Sequence, residues 1–258
     1  MKKRHLISYI IGSKLCIVLC IFGIVAVHHM FSQKWLESIA AEEAVRDDLN
    51  DTCQNVNANV EKEAHCKEQI NKLNANGQTG LMVQARLGRL NDVQELLSYK
   101  ADPNVISHDS ERTTVLHLAC RSVDFENGDR IVFLLLENGA SVTIKDAHGN
   151  TPMHDLLQAA SSSKKQQVAS RMIITYKAGL NAQNTSGDTP LHLAITKDDL
   201  DWASYIISTY SQQIDFTLKS NLGYTLLTLA EFYGYDQLVD IIKKAMKSQQ
   251  QQQQAQQK

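Results

Sequence analysis

The sequence predicts an all-α protein whose larger part is a solenoid of about five helix-pair repeats. Three observations predict this fold. Threonines that precede apolar runs recur at spacings of 35, 37, 38 and 36 residues, at Thr79, Thr114, Thr151, Thr189 and Thr225. A second apolar run of helical character follows each of them, and turn residues close most units. Such a period is typical of stacked repeats, in which each unit buries the apolar face of its neighbour.

Composition excludes few classes of partner. The chain has 258 residues, of which 43% are hydrophobic, enough for a substantial core. Its formal net charge is -2, so no basic field predicts nucleic-acid binding and no strongly acidic field predicts a cationic ligand. We expect neither a nucleic-acid partner nor a small-molecule substrate.

Each repeat is predicted to hold two short helices. A Thr hydroxyl can cap the amides at a helix start, and a proline at the first helical position loses no hydrogen bond there. Thr151-Pro152 and Thr189-Pro190 carry both signals. The second helices are predicted around apolar runs at 93–97, 131–136, 172–174, 205–207 and 238–242.

The first helices share a motif that identifies a family. Residues 189–194 read Thr-Pro-Leu-His-Leu-Ala, residues 114–119 have Val in place of Pro, and residues 151–154 read Thr-Pro-Met-His. With the ending Ala-Asp-Pro-Asn at 101–104, this pattern resembles the ankyrin repeat family. The resemblance covers residues 76–246, divided into units at 76–108, 109–145, 146–183, 184–219 and 220–246.

The resemblance also implies roles for particular residues. It makes His117, His154 and His192 structural, each hydrogen-bonded to stabilise a turn, because equivalent positions of a solenoid lie about 10 Å apart and do not converge on a metal. The first and fifth units, which lack the Pro and the His, are expected to be caps. Residues 123–126 and 161–166 depart from the family's short turn between helices and are expected to form longer loops.

The N-terminal segment is predicted to enter a membrane. After a basic start at 1–14, residues 15–33 are uncharged and largely apolar, about the length that spans a bilayer. Lysines and an arginine precede this run and carboxylates follow it, which favours a cytoplasmic N-terminus and repeats on the non-cytoplasmic side. A cleaved signal peptide fits less well, since no small-x-small site occurs before Ser38-Ile39-Ala40, and a buried soluble helix is a third alternative.

Residues 34–75 are predicted to form a polar helical stalk. An exported stalk could hold a disulfide between Cys53 and Cys66. One continuous helix would place these cysteines about 20 Å apart, so the bond requires a hairpin that turns within 55–59. The alternative is one long helix with free thiols. The other end of the chain, residues 247–258, is rich in glutamine and is expected to be disordered.

The sequence contains no motif that favours catalysis. No Gly-rich phosphate loop, nucleophile elbow or zinc-binding helix is present, so we expect no enzyme, cofactor or metal. The leading hypothesis is a membrane-anchored ankyrin scaffold that binds another protein. A secreted ankyrin protein, such as a bacterial effector acting on host proteins, is the first alternative, and an enzyme that uses the repeats to dock substrates is the second.

The resemblance places the binding surface at the hairpin tips and the concave face of the first helices. The matching positions are Arg121, Ser122, His148, Asn150, Thr185, Ser186, Asp188, Lys197, Asn221, Leu222, Tyr224, Phe232 and Tyr233. The last four could supply the aromatic and apolar anchors that dominate interfaces. Alternatively, Phe232 and Tyr233 could pack beneath the terminal cap.

Overall fold

A computed structural model describes residues 69–159 and 162–256. All of them belong to the second of two compact units into which the chain divides, Lys67–Lys258. The predicted membrane segment at 15–33, the basic start at 1–14, and the paired cysteines Cys53 and Cys66 lie outside the described residues. Within those residues, no helix is both long enough and apolar enough to cross a bilayer.

The described chain is a series of helix pairs, as the repeat spacing predicts. The five pairs are α1 (Gly80–Arg86) with α2 (Leu90–Ser98), α3 (Val115–Arg121) with α4 (Gly128–Glu137), α5 (Pro152–Gln158) with α6 (Ser163–Ile174), α7 (Pro190–Thr196) with α8 (Leu200–Tyr210), and α9 (Leu226–Tyr233) with α10 (Asp236–Gln256). A 3-10 turn, Ser211–Gln213, extends α8. We call the pairs repeats 1 to 5.

The helices pack in rows that run from repeat to repeat. The first helices form one row, since α3 packs between α1 and α5, and α7 packs between α5 and α9. The second helices α2, α4 and α6 pack in series behind them. Burial follows this arrangement because the apolar residues of both helices face the neighbouring repeat, as Leu116, Ile131 and Leu156 show. Repeats therefore stabilise one another pairwise.

Every first helix begins at the threonine that the sequence indicates. The Thr79 hydroxyl accepts a hydrogen bond from Met82 N, and Thr189 and Thr225 accept equivalent bonds three residues on. Pro152 and Pro190 occupy the first helical position. The capping and proline signals thus fix where α1, α5, α7 and α9 start.

Two expected boundaries are wrong. The stalk is not helical to residue 75, because the chain leaves the helix after residue 70 and enters a turn that begins at Asn74. The glutamine-rich tail is not disordered over 247–256, because α10 continues to Gln256. Glutamine has good helix propensity, and buried Leu238 and Ile242 hold the start of α10 against the stack, so the helix propagates outward.

The longer loops between helices are partly as expected. Residues 122–127 form the extended connection in repeat 2. In repeat 3, however, α6 already begins at Ser163, so residues 163–166 are its first turn and do not belong to a loop. Ser162 caps this helix by accepting a hydrogen bond from Lys165 N.

Candidate protein-binding surface

The hairpin tips that precede the first helices are joined by backbone hydrogen bonds. Ala147 N donates to Glu111 O at 2.8 Å, Thr185 N to His148 O at 3.0 Å, and Asn221 N to Ser186 O at 2.9 Å. Gly149 has φ of +73°, and a Cβ there would lie 2.9 Å from Thr185 N. Glycine is required because the next tip approaches so closely.

Three histidines bond repeats 2, 3 and 4 each to the repeat that follows. His117 Nδ1 accepts from Thr114 N at 3.2 Å, so its Nε2 carries the proton and donates to Asn150 O at 3.1 Å in repeat 3. His154 and His192 bond Asp188 O and Tyr224 O in the same way. Burial lowers the pKa of all three, that of His154 to about 4, although the carbonyl acceptors oppose the shift. Each is a neutral structural link, as the resemblance implies.

Most of the predicted contact residues lie on the surface. Those with exposed side chains are Arg121, His148, Thr185, Ser186, Lys197, Asn221, Leu222, Phe232 and Tyr233, and those that are half-buried are Ser122, Asp188 and Tyr224. Many of them lie on the hairpin tips that the backbone hydrogen bonds join. This row of tips brings together His148, Thr185, Ser186 and Asn221. The tips therefore form one continuous row of exposed polar side chains.

Asn150 is not available to a partner, and its assignment to the contact surface is wrong. The residue is buried. Its Nδ2 donates to Asp146 Oδ2 at 3.4 Å, and its Oδ1 accepts from Asn184 Nδ2 at 3.0 Å. Because a buried amide must find partners within the protein, Asn150 is used to join the tips of repeats 3 and 4.

Arg121 is engaged by its own chain. Its Nε lies 3.1 Å from Asp155 Oδ2, one Nη lies 3.3 Å from Asp146 Oδ2, and the other lies 3.7 Å from Glu111 Oε2. The two Asp residues belong to repeat 3, so the guanidinium bridges repeats 2 and 3. Burial raises the pKa of Asp155 to about 6, and Arg121 opposes this rise. The sequence did not identify Asp155 and Glu111 as partners of Arg121, because neither is close to Arg121 along the chain.

The last repeat presents an exposed group of apolar and aromatic side chains, which we call the terminal aromatic cluster: Leu222, Tyr224, Phe232, Tyr233 and Tyr235. Leu222 is 84% exposed, Phe232 65% and Tyr233 42%, so neither ring lies beneath the cap. Ring centroids are separated by 5.4 Å between Tyr224 and Phe232, 5.3 Å between Phe232 and Tyr233, and 5.6 Å between Tyr233 and Tyr235. The four rings form one continuous row, and Leu222 is an exposed apolar residue of the hairpin tip before α9.

Tyr235 was not predicted to belong to this surface. It stacks on Tyr233 at an interplanar angle of 17°. The run Phe232-Tyr233-Gly234-Tyr235 was a visible signal, because Gly234, with φ of +74°, ends α9 in the left-handed conformation and brings Tyr235 back beside the helix end.

Nothing in the described residues favours a metal. In residues 69–159 and 162–256, no group of three or more His, Cys, Asp or Glu side chains could hold an ion. Cys120 is a buried free thiol, and burial raises its pKa well above the usual value. Such a thiol is inert because it is not ionised at neutral pH.

Comparison with known proteins decides the family. A sequence model of ankyrin repeats in three copies matches residues 43–146 and 156–253. The chain belongs to the ankyrin repeat family. The match begins at residue 43, within the segment 34–75 that was expected to form a stalk. Ankyrin repeats imply a role in protein–protein interaction.

Curated relatives match through their repeats. The chain is 36% identical over 106 residues to a probable serine/threonine-protein kinase of Dictyostelium discoideum, covering 40% of this chain and 10% of the kinase. It is 29% identical over 147 residues to a probable 26S proteasome regulatory subunit p28 of Saccharomyces cerevisiae, covering 57% and 60%. A Rickettsia felis protein named for its ankyrin repeats is 32% identical over 100 residues, covering 38% and 44%. The chain spans less than two thirds of each.

One departure from the ankyrin pattern, the altered turn between the two helices of repeat 3, is held by a buried lysine. Lys165, in the first turn of α6, is 1% exposed. Its Nζ donates to Leu157 O at 3.1 Å, Ala159 O at 2.7 Å and Asp199 Oδ2 at 2.6 Å, and it lies 5.6 Å from the centre of the Trp202 ring. Burial lowers the pKa of Lys165, and Asp199 opposes this. The lysine joins the altered turn of ankyrin repeat 3 to repeat 4.

Proposed function

We propose that this chain is a non-enzymatic ankyrin scaffold that binds another protein through the terminal aromatic cluster and the adjoining hairpin tips. The observation that carries the proposal is the exposure of Leu222, Phe232 and Tyr233. Large apolar side chains grouped on a surface mark interaction sites, and Tyr and other aromatic residues commonly supply the binding energy. The polar row of His148, Thr185, Ser186 and Asn221 would surround this centre as a rim.

The absence of enzymatic activity is part of the proposal. The relative named as a kinase shares only 10% of its length with this chain, so its activity does not transfer. The buried histidines support the same conclusion, since their ring nitrogens are occupied by Thr and carbonyl partners and are not directed at a substrate.

A capture experiment tests the binding proposal. The tagged full-length chain is used to recover proteins from the cell that produces it, in parallel with a variant in which Tyr224, Phe232 and Tyr233 are changed to Ala. We expect the variant to lose a specific partner that a control with Phe125→Ala retains, because Phe125 is equally exposed but lies in repeat 2. Undiminished capture by the triple variant would remove the cluster from the binding surface.

We also propose that residues 15–33 anchor the scaffold in a membrane, with the N-terminus cytoplasmic and the repeats on the other side. The length of the uncharged run and the basic residues before it support this. The alternative is a secreted protein with a cleaved signal. Extraction with alkaline carbonate should leave the chain in the membrane pellet, and release together with a new N-terminus near residue 27 would contradict an anchor.

A further inference from the structure

The hairpin tips are joined by one backbone hydrogen bond that recurs in the same register. Ala147, Thr185 and Asn221 each stand four residues before the threonine of their own repeat, and each donates its N–H to the preceding tip. The acceptors all stand three residues before the threonine of the preceding repeat: Glu111 O, His148 O and Ser186 O. Each of these tips therefore offers one carbonyl to the tip that follows.

Leu222 O is the carbonyl at this position in the last tip. Leu222 stands three residues before Thr225, and it is 84% exposed. No donor within residues 69–159 or 162–256 forms a hydrogen bond with this oxygen. The row of tips thus ends in an open backbone acceptor. Such an end is comparable to the edge of a β-sheet, where an exposed backbone group is a template for pairing with another chain.

The last tip also keeps room for another backbone. A Cβ added to Gly149 would lie 2.9 Å from Thr185 N, and one added to Gly187 would lie 2.7 Å from Asn221 N, so the amide of the following tip fills the space beside each glycine. Gly223 holds the same position in the last tip, and nothing lies within 4 Å of its added Cβ. The space that an incoming amide fills in repeats 3 and 4 is therefore open in repeat 5.

The last repeat lacks the other half of the junction between ankyrin repeats. His117, His154 and His192, each three residues after the threonine, donate to a carbonyl of the following tip. Thr228 holds this position in repeat 5, and its hydroxyl donates to Thr225 O at 3.2 Å within the same repeat. A further ankyrin tip would not receive its histidine bond here. A segment that brings only an N–H donor needs no such bond.

Two uncharged rings adjoin the open acceptor. Arg121, seven residues after the threonine of repeat 2, reaches forward to carboxylates of repeat 3. Phe232 holds the same position in repeat 5, and it is 65% exposed. Its ring centroid lies 5.4 Å from that of Tyr224, which is two residues from Leu222 along the chain. Exposed aromatic rings of this kind commonly supply binding energy to a partner's side chains.

We propose that the last hairpin tip receives an extended segment of a partner protein, whose backbone N–H donates to Leu222 O and whose apolar side chains pack on Tyr224 and Phe232. This rests on the proposed function, because both place a partner on the last repeat. The shared register of the tips argues for this occupant, since the segment continues the hydrogen bond by which each tip joins the next. Main-chain bonds then give affinity, and side chains give specificity. Proline is excluded from the donating position because it has no N–H.

The probe is a phage-displayed library of random linear peptides of about ten residues, selected on the full-length chain in detergent. An enriched peptide is synthesised with a fluorescent label, and its affinity is measured by anisotropy. Phe232→Thr installs the residue that repeat 4 carries at this position, and we expect it to weaken binding at least about tenfold. The matched control is Phe125→Thr, which removes a ring that is 66% exposed in repeat 2 and should leave the affinity unchanged.

Two further measurements test the backbone hydrogen bond itself. N-methylation of the peptide at one amide after another should weaken binding roughly tenfold at the donating residue. On the protein side, the sequence Leu-Gly occurs twice, at 87–88 and 222–223. A chain labelled at its Leu carbonyl carbons and Gly nitrogens therefore gives two correlated NMR signals. The peptide should shift the Leu222–Gly223 signal and leave that of Leu87–Gly88 unchanged.

Several outcomes would overturn the proposal. These are a selection that enriches no peptide, equal affinity for the wild type and Phe232→Thr, a peptide that N-methylation weakens at no position, and an unchanged Leu222–Gly223 signal. If the peptides fail but the variant with Tyr224, Phe232 and Tyr233 changed to Ala still loses a captured protein, the extended segment is wrong while the proposed function stands. Undiminished capture by that variant is the separate result that contradicts the proposed function.

Discussion

Lys165 Nζ lies 2.6 Å from Asp199 Oδ2, and this ion pair joins the second helix of repeat 3 to the start of α8 in repeat 4. The ammonium is enclosed, with two carbonyl oxygens and the Trp202 ring as its other neighbours. A buried charge is tolerated because it is paired and hydrogen-bonded on all sides.

Removal of one member of this pair should be more harmful than removal of both. Asp199→Asn leaves the buried ammonium without its counter-charge, and we expect it to lower the free energy of unfolding by about 3–5 kcal/mol. The double variant Lys165→Met with Asp199→Asn removes both charges and should recover part of the loss. Urea unfolding at neutral pH measures both, and equal stability of the single and double variants would contradict a coupled pair.

Acid should weaken the histidine links. The folded-state pKa of His154, about 4, lies below its ordinary value of 6.5 because the ring is buried. The unfolded chain therefore takes up the proton first, so the stabilisation is complete above the unfolded pKa and is lost as the pH falls towards 4. The loss from one such site approaches about 1.4 kcal/mol per pH unit. Unfolding curves of the wild type and His154→Ala should converge as the pH falls through this range.

The Arg121 network should respond to pH in the opposite direction. The folded-state pKa of Asp155, about 6, lies above its ordinary value of 3.8, so its ionised form is penalised in the fold at neutral pH, and this penalty is relieved as the pH falls from about 6 towards 3.8. Arg121→Met removes the counter-charge. We expect this variant to be destabilised more at about pH 8 than at about pH 5, by up to about 1.4 kcal/mol per pH unit.

A second substitution checks the origin of that difference. Asp155→Asn, added to Arg121→Met, removes the carboxyl group whose ionisation is penalised. The pH-dependence of the destabilisation should then largely disappear. A double variant with the same pH-dependence as Arg121→Met would show that another group titrates.

Gln249 should hold the glutamine-rich end of α10 against the repeat stack. Its Nε2 donates to Ser211 O and, at 2.9 Å, to Ile214 O. Gln249→Ala keeps the helix propensity high but removes both bonds, so we expect faster amide hydrogen exchange over 247–256 with little change in global stability. Gln252→Ala is the matched control because Gln252 is exposed. Equal exchange in both variants would contradict docking through Gln249.

Local signals made much of the fold predictable. The threonine caps, the two helix-initiating prolines and the glycines of the tips determine the backbone conformation within a few residues of their own positions. Their spacing was therefore sufficient to place the first helices. The roles of His117, His154 and His192 followed from the family resemblance, and the structure confirms the hydrogen bonds.

Features that depend on neighbouring repeats were not predictable in the same way. Asn150 looked like a surface residue of a turn, but its partner Asn184 stands 34 positions away in sequence. Lys165 looked like part of a polar loop, and its burial depends on Asp199, again 34 positions away. The exposure of Phe232 depends on whether the terminal helix α10 covers its ring. The sequence around Phe232 alone does not determine how α10 packs. The glutamine tail was misjudged because its helix propagates from a packed start.

The histidine and tip bonds described above each join neighbouring repeats, so they connect the protein in series. A tension applied between the two ends is carried in full by every junction, and the junction that yields first sets the load at which the molecule lengthens. The junction between repeats 3 and 4 holds a buried ion pair in addition to these bonds, and the junction between repeats 2 and 3 holds an ion pair whose carboxylate, that of Asp155, is buried. The middle of the stack should therefore resist extension, while the repeats nearer the ends should separate at a lower load.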